Sequence, residues 1–202
     1  IDYAMISVRL TDQFVTSIGK QAAAYGGFEY DLDPIEIYQY SDMIDYMLFD
    51  FMTGITFSYQ VTPTQEIALQ VVNSRTASMD DIYGQLPEDS RAPLAYTANW
   101  NGNFFSDKFR TRWSYSLLSL AKGYNNHFYA IGNELDLGKF NMYLDFYLSD
   151  EELDNRGIIS SLYRLQGEAD CIKNARYESW VTKLNYRFQP KWNIFVKGMY
   201  EN

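Results

Sequence analysis

Apolar and polar residues alternate along most of the chain with a period of two, the pattern that predicts β-strands with two unlike faces. In the segment 51–61, for example, the odd-numbered positions are mostly large and apolar, and the even-numbered positions from 54 to 60 are small or polar. About ten such segments follow one another, and a helix is predicted near residues 158–166. The pattern therefore predicts an all-β, antiparallel fold.

The predicted connections alternate in length. Short turns are expected near residues 11, 63, 107, 138 and 190, and longer or irregular loops near residues 26, 76, 123 and 150. Alternate connections of an antiparallel sheet lie at the same end, so the short turns share one end and the long loops the other. Outer-membrane barrels have this organisation, with short periplasmic turns and longer extracellular loops. We therefore expect residues 1–202 to form a single transmembrane β-barrel domain.

A soluble β-sandwich is the main alternative, because it also alternates but buries its apolar face. Several strands are about ten residues or longer, whereas strands of globular proteins average about 5–6 residues. Aromatic residues also gather near strand ends, as in the interfacial girdles of barrels. The barrel interpretation predicts an outward apolar set, with Asn133 as a polar interruption, and an inward polar set. The outward set is Phe57, Tyr59, Leu69, Trp113, Leu144, Phe146, Leu184 and Ile194; the inward set includes Asn101, Arg112, Tyr143, Asp145, Lys183 and Lys197.

Composition narrows the class further. Aromatic residues make up 17% of the chain, which suits both β structure and a membrane interface. No run of about 18 apolar residues exists, so no transmembrane helix is predicted. The formal net charge of −9 argues against a nucleic-acid partner. The chain begins and ends in strand-like sequence, and we expect a fragment that lacks both ends of the barrel.

Candidate chemistry is sparse, and neither an enzyme nor a cofactor is predicted. His127 is the single histidine, with no serine motif beside it, and the single cysteine, Cys171, is expected to be an unpaired thiol. Acidic loop residues can supply oxygen ligands for Ca²⁺, but without defined spacing we expect solvated loops. These acidic groups are Asp80-Asp81, Glu88-Asp89 and Asp150-Glu151-Glu152 with Asp154.

The segment 26–50 combines many carboxylates with apolar side chains and contains no Lys or Arg. Its Asp33-Pro34 pair predicts a turn or the start of a short helix. Long insertions of this kind are usually functional or disordered. One interpretation is an ordinary surface loop; the other is a loop folded back into the space walled by the strands. In the second case Ile35, Ile37, Met43 and Ile44 should pack on the wall or on neighbouring loops.

The stretches Ile18-Gly19-Lys20-Gln21 and Ala24-Tyr25-Gly26-Gly27-Phe28-Glu29-Tyr30-Asp31-Leu32-Asp33-Pro34-Ile35-Glu36 resemble porins of Bacteroidetes outer membranes, which are similar to the phosphate-selective porin O and P family. The resemblance implies a sixteen-stranded, often trimeric barrel whose long loop folds into the pore as a constriction. It also implies that residues 26–50 are this constriction loop, after the fifth strand, so that the chain holds roughly strands four to thirteen.

The resemblance and the strand pattern together predict which residues form the constriction and line the pore. The constriction residues are Glu29, Asp31, Asp33, Glu36, Asp42 and Asp45, and the pore-lining residues are Arg110, Arg112, Asp145, Lys183, Arg187 and Lys197. Phosphate-selective members line the lumen with a ladder of arginines and lysines. In this chain the lumen bases alternate with acids, and the loop is wholly acidic. Because rings of carboxylates favour cations, the family name is not carried over to this chain as a phosphate function.

The expected function is passive diffusion of small hydrophilic solutes or ions through a water-filled barrel. The alternative is a structural or assembly barrel of a secretion or surface complex in the same membrane. The expected partners are outer-membrane lipid, the diffusing solutes and two further copies in a homotrimer.

Overall fold

The fold is known from a computed structural model, which describes residues 2–84, 87–167 and 173–202, so that Cys171 lies outside the described residues. Its framework is one antiparallel sheet in which every strand pairs with its neighbours in sequence. The ten strands are β1 (Ala4–Arg9), β2 (Phe14–Ala22), β3 (Phe51–Thr62), β4 (Gln65–Asn73), β5 (Leu94–Phe104), β6 (Phe109–Ala121), β7 (Tyr124–Asp136), β8 (Phe140–Glu151), β9 (Ala175–Gln189) and β10 (Trp192–Glu201).

Strand length fits a bilayer. Strands β2 to β10 have between 9 and 15 residues, and about 9–11 residues cross a membrane at a tilt. Short turns occupy one end of the sheet, and the described parts of the long connections, 23–50, 74–84, 87–93, 152–167 and 173–174, lie at the other. The expected loop at residue 123 is instead a tight turn. Strand β7 already starts at Tyr124, and Gly123 adopts a φ of 80°, which suits glycine.

One face of the sheet, the outer face, exposes its apolar side chains. Leu69 is 54% exposed and Ile194 is 60% exposed. Phe146 is partly covered because its ring packs on Trp180, with ring centroids 4.5 Å apart. No second sheet packs on this face in the described segments, which contradicts the sandwich alternative and suits contact with lipid. Asn133 also lies on the outer face, where it accepts a hydrogen bond from the indole of Trp113 at 3.3 Å.

The opposite face, the inner face, carries the buried core together with the loops that fold over it. Buried residues of the segment 23–50 pack with buried inner-face residues of several strands. Two aromatic contacts illustrate this packing. The ring centroid of Tyr25 lies 5.2 Å from that of Phe128, and the centroid of Phe28 lies 6.5 Å from that of Tyr143. The hydrophobic core therefore lies between the sheet and its own loops.

Short helices shape the loops: α1 (Phe28–Asp31), α2 (Pro34–Ile37), a π-helical turn (Met43–Met47), α3 (Met79–Tyr83) and α4 (Ile158–Leu165). Helix α2 starts at the predicted Asp33-Pro34 pair, where the Asp33 carboxylate accepts from the Ile35 N–H at 3.0 Å. Helix α4 occupies the segment in which a helix was predicted. In the described parts of the chain, every helix is too short or too polar to span a membrane.

The outer face can be tested with a pair of arginine substitutions in the full-length protein. Leu69→Arg should destabilise the folded barrel in lipid vesicles by about 2–4 kcal/mol, the cost of arginine on a lipid-facing strand near the midplane. Ser58→Arg is the control, because Ser58 lies on the inner face one register position away from the Phe57–Leu69 pair. Ser58→Arg should lower the free energy of unfolding far less than Leu69→Arg does. Equal unfolding free energies for the two variants would contradict the assignment of faces.

Candidate functional site

Residues 23–50, called the inner loop below, run across the inner face rather than away from it. Its backbone first meets side chains of β4, β5 and β6. The N–H of Ala24 donates to Gln70 Oε1 at 2.8 Å, and its carbonyl accepts from Asn99 Nδ2 at 3.2 Å. The Ser114 hydroxyl donates to the carbonyl of Tyr25 at 2.7 Å. Polar side chains on successive strands thus satisfy a backbone that the sheet itself cannot pair.

The loop then crosses β7 in direct contact with the strand. The N–H of Gly27 donates to the backbone carbonyl of Arg112 at 3.1 Å. A Cβ on Gly132 would lie 2.8 Å from the Gly27 Cα, and a Cβ on Gly27 would overlap the Tyr147 hydroxyl. Gly27 also has a φ of 87°, which disfavours other residues. Glycine is therefore required on both sides of this crossing.

After the loop has crossed β7, its backbone forms hydrogen bonds with the side chain of Asp145 on β8. Its Oδ1 accepts from the N–H of Phe28 at 3.0 Å, and its Oδ2 accepts from the N–H of Glu29 at 2.7 Å. The Tyr147 hydroxyl donates to Oδ2 at 3.0 Å. The Asp145 side chain is fully buried. Three donors thus stabilise a carboxylate that has no contact with solvent.

A second buried carboxylate, Glu29 of the loop, pairs with Lys197 of β10. The Lys197 Nζ lies 2.5 Å from Glu29 Oε1, and the two side chains are 5% and 0% exposed. Ser41 donates to Glu29 twice, from its N–H at 2.9 Å and from its hydroxyl at 2.6 Å. These extra hydrogen bonds matter because a buried ion pair is tolerated only when its remaining polar sites are satisfied.

Other inner-face bases also hold the loop. The Arg112 Nε lies 3.3 Å from Asp31 Oδ2, with their side chains 21% and 45% exposed. The Lys183 ammonium donates to the carbonyl of Glu36, and Lys197 donates to the carbonyl of Gln39. Three of the basic side chains that sequence reasoning assigned to the lumen wall, Arg112, Lys183 and Lys197, are thus turned towards the loop.

The predicted site residues therefore divide into enclosed and accessible groups. Glu29 and Asp145 are fully buried between the loop and the wall, and their assignment to the pore stays a prediction. Arg110 contacts Glu134 of the wall, with Arg110 Nη2 2.5 Å from Glu134 Oε2, and Arg187 is exposed towards the short-turn end of β9. The carboxylates left accessible on the loop are those of Asp31, Asp33, Glu36, Asp42, Asp45 and Asp50, the last of which was not among the predicted site residues.

The apolar residues of the loop pack as expected with one exception. Ile37, Met43 and Ile44 are buried, whereas Ile35 is 88% exposed. Helix α2 has only four residues, and Ile37 takes its single buried position. Ile35, two residues earlier, falls on the opposite side of this turn because residues two apart do not share a helix face.

An open cleft of about 600 Å³ lies beside the loop, where the loop leaves β2 and enters β3. Although the Asp31 side chain is 45% exposed, desolvation by the surrounding protein raises its pKa, and this effect outweighs the lowering by Arg112. Burial is also the main reason for a raised pKa of Asp50, with Arg156 opposing it and Asp45 adding to it. The cleft is lined by four loop carboxylates and by aromatic rings, namely Asp31, Asp33, Asp45 and Asp50 with Tyr3, Tyr30, Tyr40 and Phe51.

The residues that sequence reasoning missed are the uncharged anchors of the loop. Gln70, Asn99 and Ser114 occupy inward positions of the period-two pattern, so their direction was predictable. Their role was not, because it depends on where the loop crosses each strand. Gly132 is the position from which the crossing could have been predicted, since glycine inside a strand often marks close approach of another backbone.

The remaining candidate groups show other roles. Glu88 pairs with Lys122 at 2.7 Å, and Asp154 accepts from the Ser160 N–H at 2.7 Å. The described segments contain no group of three or more His, Cys, Asp or Glu side chains arranged to hold a metal ion. His127 lies on the outer face, with its Nδ1 2.8 Å from the Tyr115 hydroxyl. It therefore has an aromatic neighbour on the lipid side rather than a place in the inner-face network.

Comparison with known proteins agrees with this architecture. The model of the family "Phosphate-selective porin O and P" matches residues 1–202. Among solved structures, OccK11 (OpdR) of Pseudomonas aeruginosa is similar at a TM-score of 0.55 and 11% identity, over 96% of this chain and 46% of that chain. OpdK of Pseudomonas aeruginosa, solved with vanillate, gives a TM-score of 0.45 at 9% identity with the same coverages.

The chain thus spans less than half the length of these two structures. The likeness to OccK11, at 11% identity, shows the fold alone. No curated protein matches the chain. The family match, by contrast, extends over every residue of it. The chain belongs to the phosphate-selective porin O and P family, in the outer membrane of Gram-negative bacteria.

Proposed function

We propose that the whole protein is a non-enzymatic porin that lets small hydrophilic solutes or ions diffuse across the outer membrane. The observation that carries this proposal is the inner loop, which covers the inner face of a sheet whose outer face is apolar. A loop held in this position narrows the space that the barrel encloses. The solute path then lies on the far side of the loop, between its accessible surface and the rest of the barrel.

Closure of the barrel is part of the same proposal. Strands β1 and β10 are the edges of the described sheet. In lipid, backbone N–H and C=O groups at such edges need internal partners, so a membrane-spanning sheet has to close. The family resemblance supports closure with sixteen strands, assembly as a homotrimer and origin in the Bacteroidetes. Residues 26–50 then serve as the constriction loop.

We infer that the passage prefers cations. The bases nearest the loop, Arg112, Lys183 and Lys197, are engaged with it, whereas Asp33, Glu36, Asp42 and Asp45 remain exposed on its surface. Carboxylates at a constriction favour cations and disfavour anions. The family name therefore does not extend to phosphate selectivity in this chain.

Neutralising exposed loop carboxylates tests this inference. The double variant Asp42→Asn/Asp45→Asn should move the reversal potential of full-length protein, measured in a planar bilayer across a KCl gradient, towards the anion side. The loop anchors are untouched, so the stability of the barrel should change by only about 0.5 kcal/mol or less. Asp12→Asn/Asp107→Asn is the matched control, since it removes two exposed carboxylates at the short turns.

The control should leave the reversal potential at the wild-type value. A wild-type reversal potential in the Asp42/Asp45 variant, or equal shifts in both variants, would show that the loop charges do not set the ion preference.

As the pH is lowered, the cation preference should begin to weaken at a higher pH than it would if all the loop aspartates had the usual aspartate pKa. The raised pKa values of Asp31 and Asp50 mean that both carboxylates bind a proton, and lose their charge, as pH falls towards the usual range near 3.9 but before reaching it. Reversal potentials measured over a descending pH series should show this early loss. In Asp31→Asn/Asp50→Asn the cation preference should be smaller at neutral pH and the early phase absent. A wild-type preference that stays constant until the ordinary aspartate range would contradict the assignment.

A further inference from the structure

Asp145 contacts the inner loop at the point where its path across the wall turns into helix α1. Each carboxylate oxygen accepts one N–H of the loop, at 3.0 Å from Phe28 and 2.7 Å from Glu29. The side chain has no exposed surface and sits on β8, near the middle of the wall. We propose that Asp145 is a positioning residue that holds the inner loop flat against the wall and thereby keeps the passage open. This inference rests on the proposed porin function.

The carboxylate is suited to this task in a way that an amide is not. An ionised carboxylate offers acceptors on both oxygens, whereas asparagine offers one acceptor oxygen and one NH₂ donor. With an asparagine side chain at this position, in either flip, one donor among the N–H groups of Phe28 and Glu29 would face another donor. The Tyr147 hydroxyl, 3.0 Å from Oδ2, adds a third donor to the same carboxylate. Loss of the charge would also weaken the hydrogen bond that remains.

Because these contacts lie between two other points at which the loop touches the wall, Asp145 controls the position of the loop segment between them. On one side, Gly27 lies directly on Gly132 of the wall. On the other side come Glu29, paired with Lys197, and Asp31, paired with Arg112. A loop segment released between these points moves away from the wall, and the far side of the loop is the proposed passage. Release of the loop from the wall therefore narrows the passage and makes its width fluctuate.

The test is single-channel recording of full-length Asp145→Asn in planar bilayers, alongside a heat-modifiability assay that measures the folded fraction. The expected result is a fall in open-state conductance of about twofold or more, with frequent closures, because a constriction governs passage. A purely structural role would reduce the folded fraction and leave the conductance of each folded channel unchanged.

Glu134→Gln is the matched control. Glu134 is a buried carboxylate of the neighbouring strand β7, pairs with Arg110 and accepts from Asn141 at 2.6 Å. The substitution makes the same change in charge as Asp145→Asn. Because the polar contacts of Glu134 are with wall residues, the loop should stay on the wall and closures should remain at the wild-type frequency. Closure frequency is the readout for this control, since unpairing Arg110 adds a charge on the inner face that can itself change the conductance.

Gly132→Ala tests the same displacement without changing a charge, and it serves if Asp145→Asn does not fold. Its Cβ would lie 2.8 Å from the Gly27 Cα and 2.7 Å from Asp145 Oδ1, so the loop has to move off the wall. It should lower conductance and increase closures. Gly198→Ala is its control, because a Cβ there meets only Thr182 Cγ2 at 3.8 Å.

The outcomes separate the two proposals. Wild-type conductance in folded Asp145→Asn channels, or in folded Gly132→Ala channels if the first variant does not fold, would overturn the positioning role and leave the porin function intact. A wild-type protein that folds and inserts but conducts no ions would overturn the porin function itself.

Discussion

Backbone groups that lie against the inner face of a sheet have no ladder to join, and this constraint shapes the inner side of the molecule. Polar side chains on successive strands supply the missing partners, from Gln70 on β4 to Asp145 on β8. The inner face of the sheet is therefore polar because it holds a loop, in addition to the polarity that the proposed pore would require. The cost of leaving such groups unpaired in a buried place fixes the path of the loop.

The same constraint explains how the chain departs from the arginine and lysine ladder that its family resemblance implies. Bases are present on the inner face at the predicted positions, but three of them, Arg112, Lys183 and Lys197, are turned towards the loop. Lys197 is enclosed with Glu29, and Arg112 lies beside Asp31. A base paired in this way contributes little net positive charge to a passage. The accessible charge is then that of the outward side of the loop, which is acidic.

The period-two pattern was enough to predict the sheet, its faces and the ends at which short and long connections lie. That pattern is local, because the direction of each side chain depends only on its position along a strand. The burial of Glu29 and Asp145 was not predictable from it, since their burial depends on a contact between residues more than a hundred positions apart. For the same reason the sequence indicated the acidity of the loop correctly but not which carboxylates stay accessible.

The central claim is that the loop engages the wall bases and leaves an acidic surface towards the passage. The most direct measurement is the reversal potential of the full-length wild-type protein in a planar bilayer across a KCl gradient. The account predicts a potential of the sign that cation preference gives, with no stronger preference for phosphate when it replaces chloride. A potential of the opposite sign, or selective passage of phosphate, would contradict it.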